Sequence, residues 1–242
     1  MIYAVISDIH ANLEALDVVL ADIRKRKVDK ILCLGDIVGY NADPNECVRI
    51  VEDQDIPSLE GNHDAVACGK EKPWGFNPVA LDAANWTRDT LTEENRDFLK
   101  QLPDDMVCNG RILAVHGAPG DRDTYLFTWE EIEPLFPALE ERNVDLCLFG
   151  HTHFPGIFGE DGTYRPDEDG LFKLPEGKRF FINPGSVGQP RDADPRAAYA
   201  LFNEDAREMR FVRLDYDRNK TAQKIVDSGL PPFLAERLML GR

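Results

Sequence analysis

The chain has 242 residues, 43% of them hydrophobic and 30% charged, and carries a formal net charge of -16. That length suits one large α/β domain with a core deep enough to need no disulfides. The acidity excludes a general nucleic-acid surface, which needs a basic stripe. No stretch reaches the roughly 18 apolar residues of a membrane span, and the first apolar run stops at Asp8 with no signal pattern. The five cysteines, Cys33, Cys47, Cys68, Cys108 and Cys147, are odd in number and form no C-x-x-C pair. They read as reduced thiols, and the chain as cytoplasmic.

Residues 2–7 read as a buried strand, a short apolar run closed by Asp8-Ile9-His10. A carboxylate and an imidazole two residues apart at a strand end project to the same side. Leu13, Leu16, Val19, Leu20 and Ile23 then repeat at helical spacing, with Asn12 as N-cap and Arg24 to Lys27 at the end where cations suit the dipole. Residues 30–34 form a second strand, so this is a βαβ unit with parallel neighbouring strands. That strand ends in Gly35-Asp36. A helix over about 44–53 leads to a short strand at 57–59, ending in Gly61-Asn62-His63-Asp64. Residues 68–78 make a loop rich in Gly, Pro and aromatics, either a lid or a packed surface loop.

Helices follow at about 78–90 and 92–102, the second opening with the capping pattern Thr92-Glu93-Glu94-Asn95. A hairpin, 106–108 and 111–115 around Asn109-Gly110, runs straight into His116-Gly117. A helix near 130–143 precedes a strand at 145–149, which delivers Gly150-His151-Thr152-His153. The remainder is mostly β, with runs near 156–158, 170–174, 179–182, 198–202 and 209–216. Two helices within 219–242, split by Gly229-Leu230-Pro231-Pro232, end the chain; Leu238-Met239-Leu240 is apolar enough to dock on the core or on a second subunit. No repeat, low-complexity segment or linker interrupts the sequence, so residues 1–242 are expected to form one domain of two sheets with helices outside.

Asp8, His10, Asp36, Asn62, His116, His151 and His153 each directly follow a predicted strand. The carboxyl ends of parallel strands are where α/β folds bind ligands, so these residues can converge. Their oxygen and nitrogen donors suit Mn, Fe, Zn, Ni or Co and are too nitrogen-rich for Mg or Ca alone, and one carboxylate can bridge two cations. Singly, the residues have plainer readings. Asp8 and His10 fit an N-cap and a buried histidine, His63-Asp64 a turn, and Cys68 a loop thiol. Trp74, Phe76, Tyr125 and Trp129 either stack an aromatic substrate or pack their loops, and residues 183–189 either form a turn or offer backbone N–H groups to phosphate. All five histidines lying at strand ends is what the plainer readings leave unexplained.

The series Asp8-x-His10, Gly35-Asp36, Gly61-Asn62-His63-Asp64, His116-Gly117 and Gly150-His151-x-His153 resembles the motifs, in order, of the calcineurin-like metallophosphoesterases. The resemblance covers residues 2 to about 153, and the segment Asn183 to Arg191 is similar to the small bacterial and archaeal phosphodiesterase branch. It implies a four-layer αββα fold. It also implies one divalent cation on Asp8, His10 and His153 and another on Asn62, His116 and His151, with Asp36 bridging. Mn²⁺ is expected first, and Fe, Zn, Ni or Co next. The implied reaction is in-line attack on a phosphate ester by a hydroxide shared between the cations, which lower the pKa of water from about 15.7 to about 7. His63, held by Asp64, would protonate the leaving alkoxide.

The protein Ser/Thr phosphatases of this superfamily continue the second motif into Asp-Arg-Gly, where this chain has Gly39-Tyr40-Asn41-Ala42. That argues against phosphoprotein substrates and leaves phosphate binding to Arg191 or Arg122. The leading expectation is a phosphodiesterase acting on a small or nucleotide-type ester. Alternatives are a dinucleoside polyphosphate hydrolase, a phosphomonoesterase or protein phosphatase, and a catalytically silent protein-binding scaffold.

Overall fold

The computed structural model describes residues 1–242. Its first half contains β1 (Ile2–Ile6), α1 (Leu13–Lys25), β2 (Lys30–Cys33), α2 (Pro44–Asp53), α3 (Asn62–Cys68), α4 (Pro78–Thr90), α5 (Glu93–Lys100), β3 (Asp105–Cys108) and β4 (Ile112–Val115). Then come α6 (Trp129–Ile132), α7 (Phe136–Glu141), β5 (Leu146–Leu148), β6 (Gly156–Gly159), β7 (Gly162–Tyr164), β8 (Leu171–Lys173), β9 (Phe180–Asn183), β10 (Ala197–Asn203) and β11 (Glu208–Leu214). Helices α8 (Arg218–Asp227) and α9 (Pro232–Leu240) end the chain.

One sheet has the order β2-β1-β10-β11-β8 and the other β3-β4-β5-β9-β6-β7. β1 and β2 are parallel neighbours, with Tyr3 opposite Lys30 and Ile6 opposite Cys33, as a βαβ unit requires. In the second sheet β4, β5 and β9 run parallel.

The period of two along each strand explains why the sheets pack face to face. Tyr3 and Val5 of β1 meet Ile112, Ala114, Leu146, Leu148, Phe180 and Ile182 of the second sheet between the layers. Ala4 and Ile6 point the other way, onto Leu16, Val19, Leu20 and Ile23 of α1 and Val48 and Val51 of α2. Across the sandwich Leu113, Val115, Cys147 and Phe181 face Ile132, Phe136 and Leu139. Both faces of both sheets are therefore covered, giving the αββα layering, and the central strands read as unbroken apolar runs. Each fully buried Leu, Ile or Phe contributes about 1.5–3 kcal/mol.

Helix α1 starts where expected because the Asn12 side chain accepts the Ala15 N–H, and Thr92 caps α5 by accepting from Asn95. Other expectations are corrected. Residues 57–59 make one bridge, Cys33 to Ser58, and no strand. The segment expected as a turn and loop start is helix α3, which ends at Gly69 in a left-handed cap (φ 84°). The single helix near 130–143 is two short helices joined by a 3-10 turn at Glu133–Leu135, because Pro134 and Pro137 supply no N–H. At the C-terminus Leu238 is buried in a cluster with Tyr40, Ala83, Ile225 and Leu234, while Met239 and Leu240 face outward.

Candidate metal centre

The strand ends deliver the candidate ligands to one place. Asp8 and His10 follow β1, Asp36 follows β2, His116 follows β4, and His151 and His153 follow β5. Five of them adopt a backbone that L-residues seldom take: Asp8, His10, Asp36, His151 and His153 have φ between 49° and 65°. Such positions cost roughly 1 kcal/mol or more each and persist where surrounding structure over-determines them. Here it does. His10 N–H donates to Asp36 O, Asp8 N–H to Gly35 O, and the Asn41 side chain to His10 O. Gly61 has no alternative at its position, because a Cβ there would collide with the Asp36 carboxylate and backbone.

Ring hydrogen bonds fix which imidazole nitrogen faces the centre. Nδ1 of His10 donates to Val38 O (3.0 Å), Nδ1 of His116 to Leu34 O (2.8 Å) and Nδ1 of His153 to Gln189 O (2.6 Å). A carbonyl can only accept, so each Nδ1 carries the proton and Nε2 is the inward donor atom. His151 is reversed: its Nε2 donates to Asp123 O at 3.1 Å, leaving Nδ1 inward.

Two clusters result, Asp8, His10, Asp36 and His153, and Asp36, His116 and His151, each with its donor atoms within 4.8 Å of one another. Asp36 belongs to both: its Oδ2 lies 3.5 Å from His10 Nε2 and 3.4 Å from His116 Nε2, while Oδ1 accepts the His63 N–H. His10 Nε2 and His153 Nε2 are 3.0 Å apart, and Asp8 Oδ1 is 3.3 Å from His153 Nε2. Two atoms bonded at about 2.1 Å to one cation and set at right angles lie about 3.0 Å apart. Buried polar atoms without a hydrogen-bond partner include His116 Nε2 and Asn62 Oδ1. Facing lone pairs and orphaned donor atoms fit a pair of divalent cations.

Burial dominates the electrostatics. It lifts Asp8 to about 7, lowers His63 to about 4 and His151 to about 3, and holds His10 and His153 well below their ordinary range. Burial also disfavours ionised Asp36, but the His116, His63 and His10 rings outweigh it and keep that carboxyl well below the usual carboxylate range. Burial likewise works against His116, yet Asp36 overrides it and raises this imidazole to about 9.

These shifts fix a pH dependence for the metal-free protein. Asp8, with Asp64 also at about 7, and His116 bind more protons folded than unfolded, so their contribution to stability falls as pH rises toward 7 and 9 respectively. His63 and His151 act oppositely, but only between their lowered values and the ordinary 6.5. Above pH 6.5 nothing offsets the loss. Urea unfolding of chelator-stripped protein is expected to show stability falling by more than about 1.4 kcal/mol between pH 6.5 and 9, one pKa unit's worth. Saturating Mn²⁺ should largely remove the fall; a flat profile without metal would contradict this account.

His63 sits on α3 with its ring against His10 (5.0 Å between centroids), Tyr40 (4.4 Å) and Phe76 (4.7 Å), and its Nδ1 is unpartnered. The expected support of His63 by Asp64 is not made. Adjacent residues on a helix point away from each other. The Asp64 carboxylate instead accepts the N–H groups of Ile37 (3.2 Å), Val38 (3.0 Å) and Gly61 (3.0 Å), tying the loop after β2 to the start of α3.

The segment 183–191 braces the centre and does not offer its amides outward. Val187 N–H donates to Ser7 O, Gly188 N–H to Asp8 O and Gln189 N–H to Ser186 Oγ, which itself donates to Asp8 O. The Ser186 role escapes sequence reading because it depends on a contact 178 positions away, and that of Gln189, whose carbonyl accepts from His153, on one 36 positions away. Tyr125 stacks on His151 at 3.8 Å, and Cys68 is a buried free thiol outside both clusters.

The two arginines separate. Arg122 is 11% exposed at its side chain and is held by Glu60, Glu71 and Asp104, so its charge is spent within the fold. Arg122→Ala is expected to cost about 1–3 kcal/mol, because the buried Glu60 carboxylate loses one of its two cationic partners and keeps Lys70, with little change in substrate KM. Thermal melting beside steady-state kinetics checks both halves. Arg191 has no carboxylate partner: Nη2 donates to Gln189 Oε1 (3.0 Å), and its guanidinium carbon lies 5.7 Å from the Tyr40 ring centroid.

A double-sheet sandwich that gathers histidines and carboxylates at its strand ends into two clusters sharing one aspartate defines a metallophosphoesterase. The chain belongs to the calcineurin-like phosphoesterase superfamily, whose domain model matches residues 1–207. It is 42% identical to the uncharacterized protein MJ0912 of Methanocaldococcus jannaschii over 242 residues, 99% of this chain and 98% of that one. A metallophosphoesterase from Sphaerobacter thermophilus has 39% identity and a TM-score of 0.88, covering 100% of this chain and 99% of that one. The hypothetical protein PH1004 of Pyrococcus horikoshii shares the fold at 20% identity, with a TM-score of 0.83 and coverage of 100% and 98%.

Proposed function

We propose that the chain is a phosphodiesterase that works with two divalent cations, Mn²⁺ first among them. Asp8, His10, Asp36 and His153 would hold one, and Asp36, Asn62, His116 and His151 the other. The observation that carries this reading is the placement of Asp36 Oδ2, about equally near the inward nitrogens of His10 and His116, one in each cluster. When bound, the cations supply Lewis acidity, activating water and offsetting phosphoryl charge.

The rest falls to the chain's own groups. His63 stands one residue past Asn62 on α3, its ring 5.0 Å from that of His10, and in this reading it would protonate the leaving oxygen of an ester held over the two clusters. Burial lowers its pKa to about 4, so the ring is neutral near pH 7 before substrate arrives, and an incoming phosphate anion would shift that pKa upward by favouring the charged form. Phe76 and Tyr40 cover its sides. Tyr40 stands where the phosphoprotein phosphatases have their arginine, which favours a singly charged diester over a dianionic monoester.

The partner in this reading is a small phosphate ester. Five free cysteines and the absence of any helix long and apolar enough to cross a membrane suit a cytoplasmic setting. The test is hydrolysis of bis(p-nitrophenyl) phosphate by chelator-stripped protein with Mn²⁺ returned. Folded protein inactive with Mn²⁺, Fe²⁺, Ni²⁺, Co²⁺ and Zn²⁺ alike would leave the scaffold reading in its place.

A further inference from the structure

Of the exposed aromatic side chains, Trp74, Tyr125, Phe127, Phe154 and Phe233, three form a row that starts at the metal centre. Tyr125 stacks on His151 at 3.8 Å, Phe127 lies parallel to Tyr125 at 5.5 Å with 4° between the planes, and Phe154 meets Phe127 edge-on at 5.8 Å. The row is built into the fold. A Cβ at Gly117 would strike the Arg122 and Thr124 carbonyl oxygens, so glycine there lets the loop after β4 close over the centre. Asp123 O then accepts from His151 Nε2 at 3.1 Å, and the Glu131 carboxylate accepts the N–H groups of Phe127 (2.7 Å) and Thr128 (3.0 Å).

Beyond the row lies a groove of about 660 Å³ between that loop and β6, with Phe127, Trp129, Phe154, Ile157 and Phe211 among its walls. The size is that of a small-ligand site. Two polar side chains of these walls are already engaged: Thr152 Oγ1 accepts from the Asn183 amide and the Phe154 N–H, and Trp129 Nε1 donates to Gly159 O. A polar ring edge would find those partners taken, whereas an apolar ring face needs none. Contiguous rings left 40–48% exposed beside a reactive centre mark a surface that binds. The row also stands apart from His63, the group assigned to the leaving oxygen, whose flanking rings are Tyr40 and Phe76.

Building on the phosphoesterase reading, we infer that this groove seats the substituent that stays on phosphorus when the diester is cleaved, and that this substituent is an uncharged, apolar aromatic group. Phe127 and Phe154 present ring faces and edges in the arrangements aromatic groups prefer. They are specificity residues and touch no reacting atom, while Tyr125 joins the groove to His151. The alcohol that departs meets a different wall, that of His63.

NMR titration of the metal-free protein with methyl 1-naphthyl phosphate and dimethyl phosphate, singly charged diesters that differ by the ring, tests the inference apart from turnover. Wild type is expected to bind the naphthyl ester about tenfold more tightly, the worth of one stacked ring, with amide shifts in residues 126–129 and 154–158. In Phe127→Ala/Phe154→Ala, which leaves the buried core untouched, the ratio should fall to about one. Phe127→Leu, apolar but not flat, should give a ratio between the two. Thymidine 5′-methyl phosphate, whose ring has polar edges, should bind less tightly than the naphthyl ester. Equal affinities for the naphthyl and dimethyl esters in wild type, an undiminished ratio in the folded double variant, or a thymidine ester bound as tightly as the naphthyl ester overturns the inference. Hydrolysis of bis(p-nitrophenyl) phosphate is scored separately: its absence with every metal defeats the phosphoesterase reading even if the ring preference holds, and its presence without the ring preference defeats only the groove.

Discussion

Asp36→Asn is expected to abolish most of the activity, by about 10³-fold, while leaving the fold in place. Asparagine keeps the volume and an oxygen to accept the His63 N–H now bonded at 2.9 Å. It replaces Oδ2, the atom facing His10 and His116, with an amide that lacks the charge or presents hydrogens to them. Removing one partner from a buried ionic network costs about 3–5 kcal/mol. Applied to the transition state, that is two to four decades of rate. Metal content should fall from two ions per chain to one or none, read by elemental analysis after gel filtration. An Asn variant that kept two ions and activity within tenfold of wild type would remove Asp36 from its bridging place.

The second large effect concerns His63 and depends on the leaving group. His63→Ala should lower kcat about 10²–10⁴-fold on an alkyl diester, whose alkoxide cannot depart without a proton. On bis(p-nitrophenyl) phosphate, whose phenolate departs readily, the loss should be much smaller. His63 is outside both ligand clusters, so both metals should stay bound. The contrast between esters separates proton donation from a general disturbance of the site. Equal losses on both esters would assign His63 a merely structural part.

The central layers were legible from sequence because burial leaves a periodic trace. Ala4 and Ile6 against helices, Tyr3 and Val5 against the other sheet, make β1 an unbroken apolar word. Helix α3 left no such trace. It has seven residues and opens on Asn, His and Asp, the chemistry of a turn, and only the Asp64 bond back to Gly61 N–H shows that it starts there. The three-residue β7 is equally faint, and Pro134 and Pro137 divide the single helix expected near 130–143.

The site divides in the same way. Candidate ligands were visible because each follows a strand, a local property. The engagement of Asp64 with the loop after β2, the capture of Arg122 by three carboxylates and the stacking of Tyr125 on His151 are properties of the folded chain alone. Arg122 and Arg191 look alike in sequence, and only their neighbours tell them apart.

His10 and His153 are 143 positions apart and issue from different sheets, yet their inward nitrogens are 3.0 Å from each other. A cation between them is thus a staple as well as a reagent, closing a loop through most of the chain and pinning one layer of the sandwich to the other. Closing so long a loop restricts the unfolded chain far more than a local clip does. The end of the molecule that performs the chemistry is consequently also its seam, and starvation for metal would loosen the architecture at the place where it silences the enzyme.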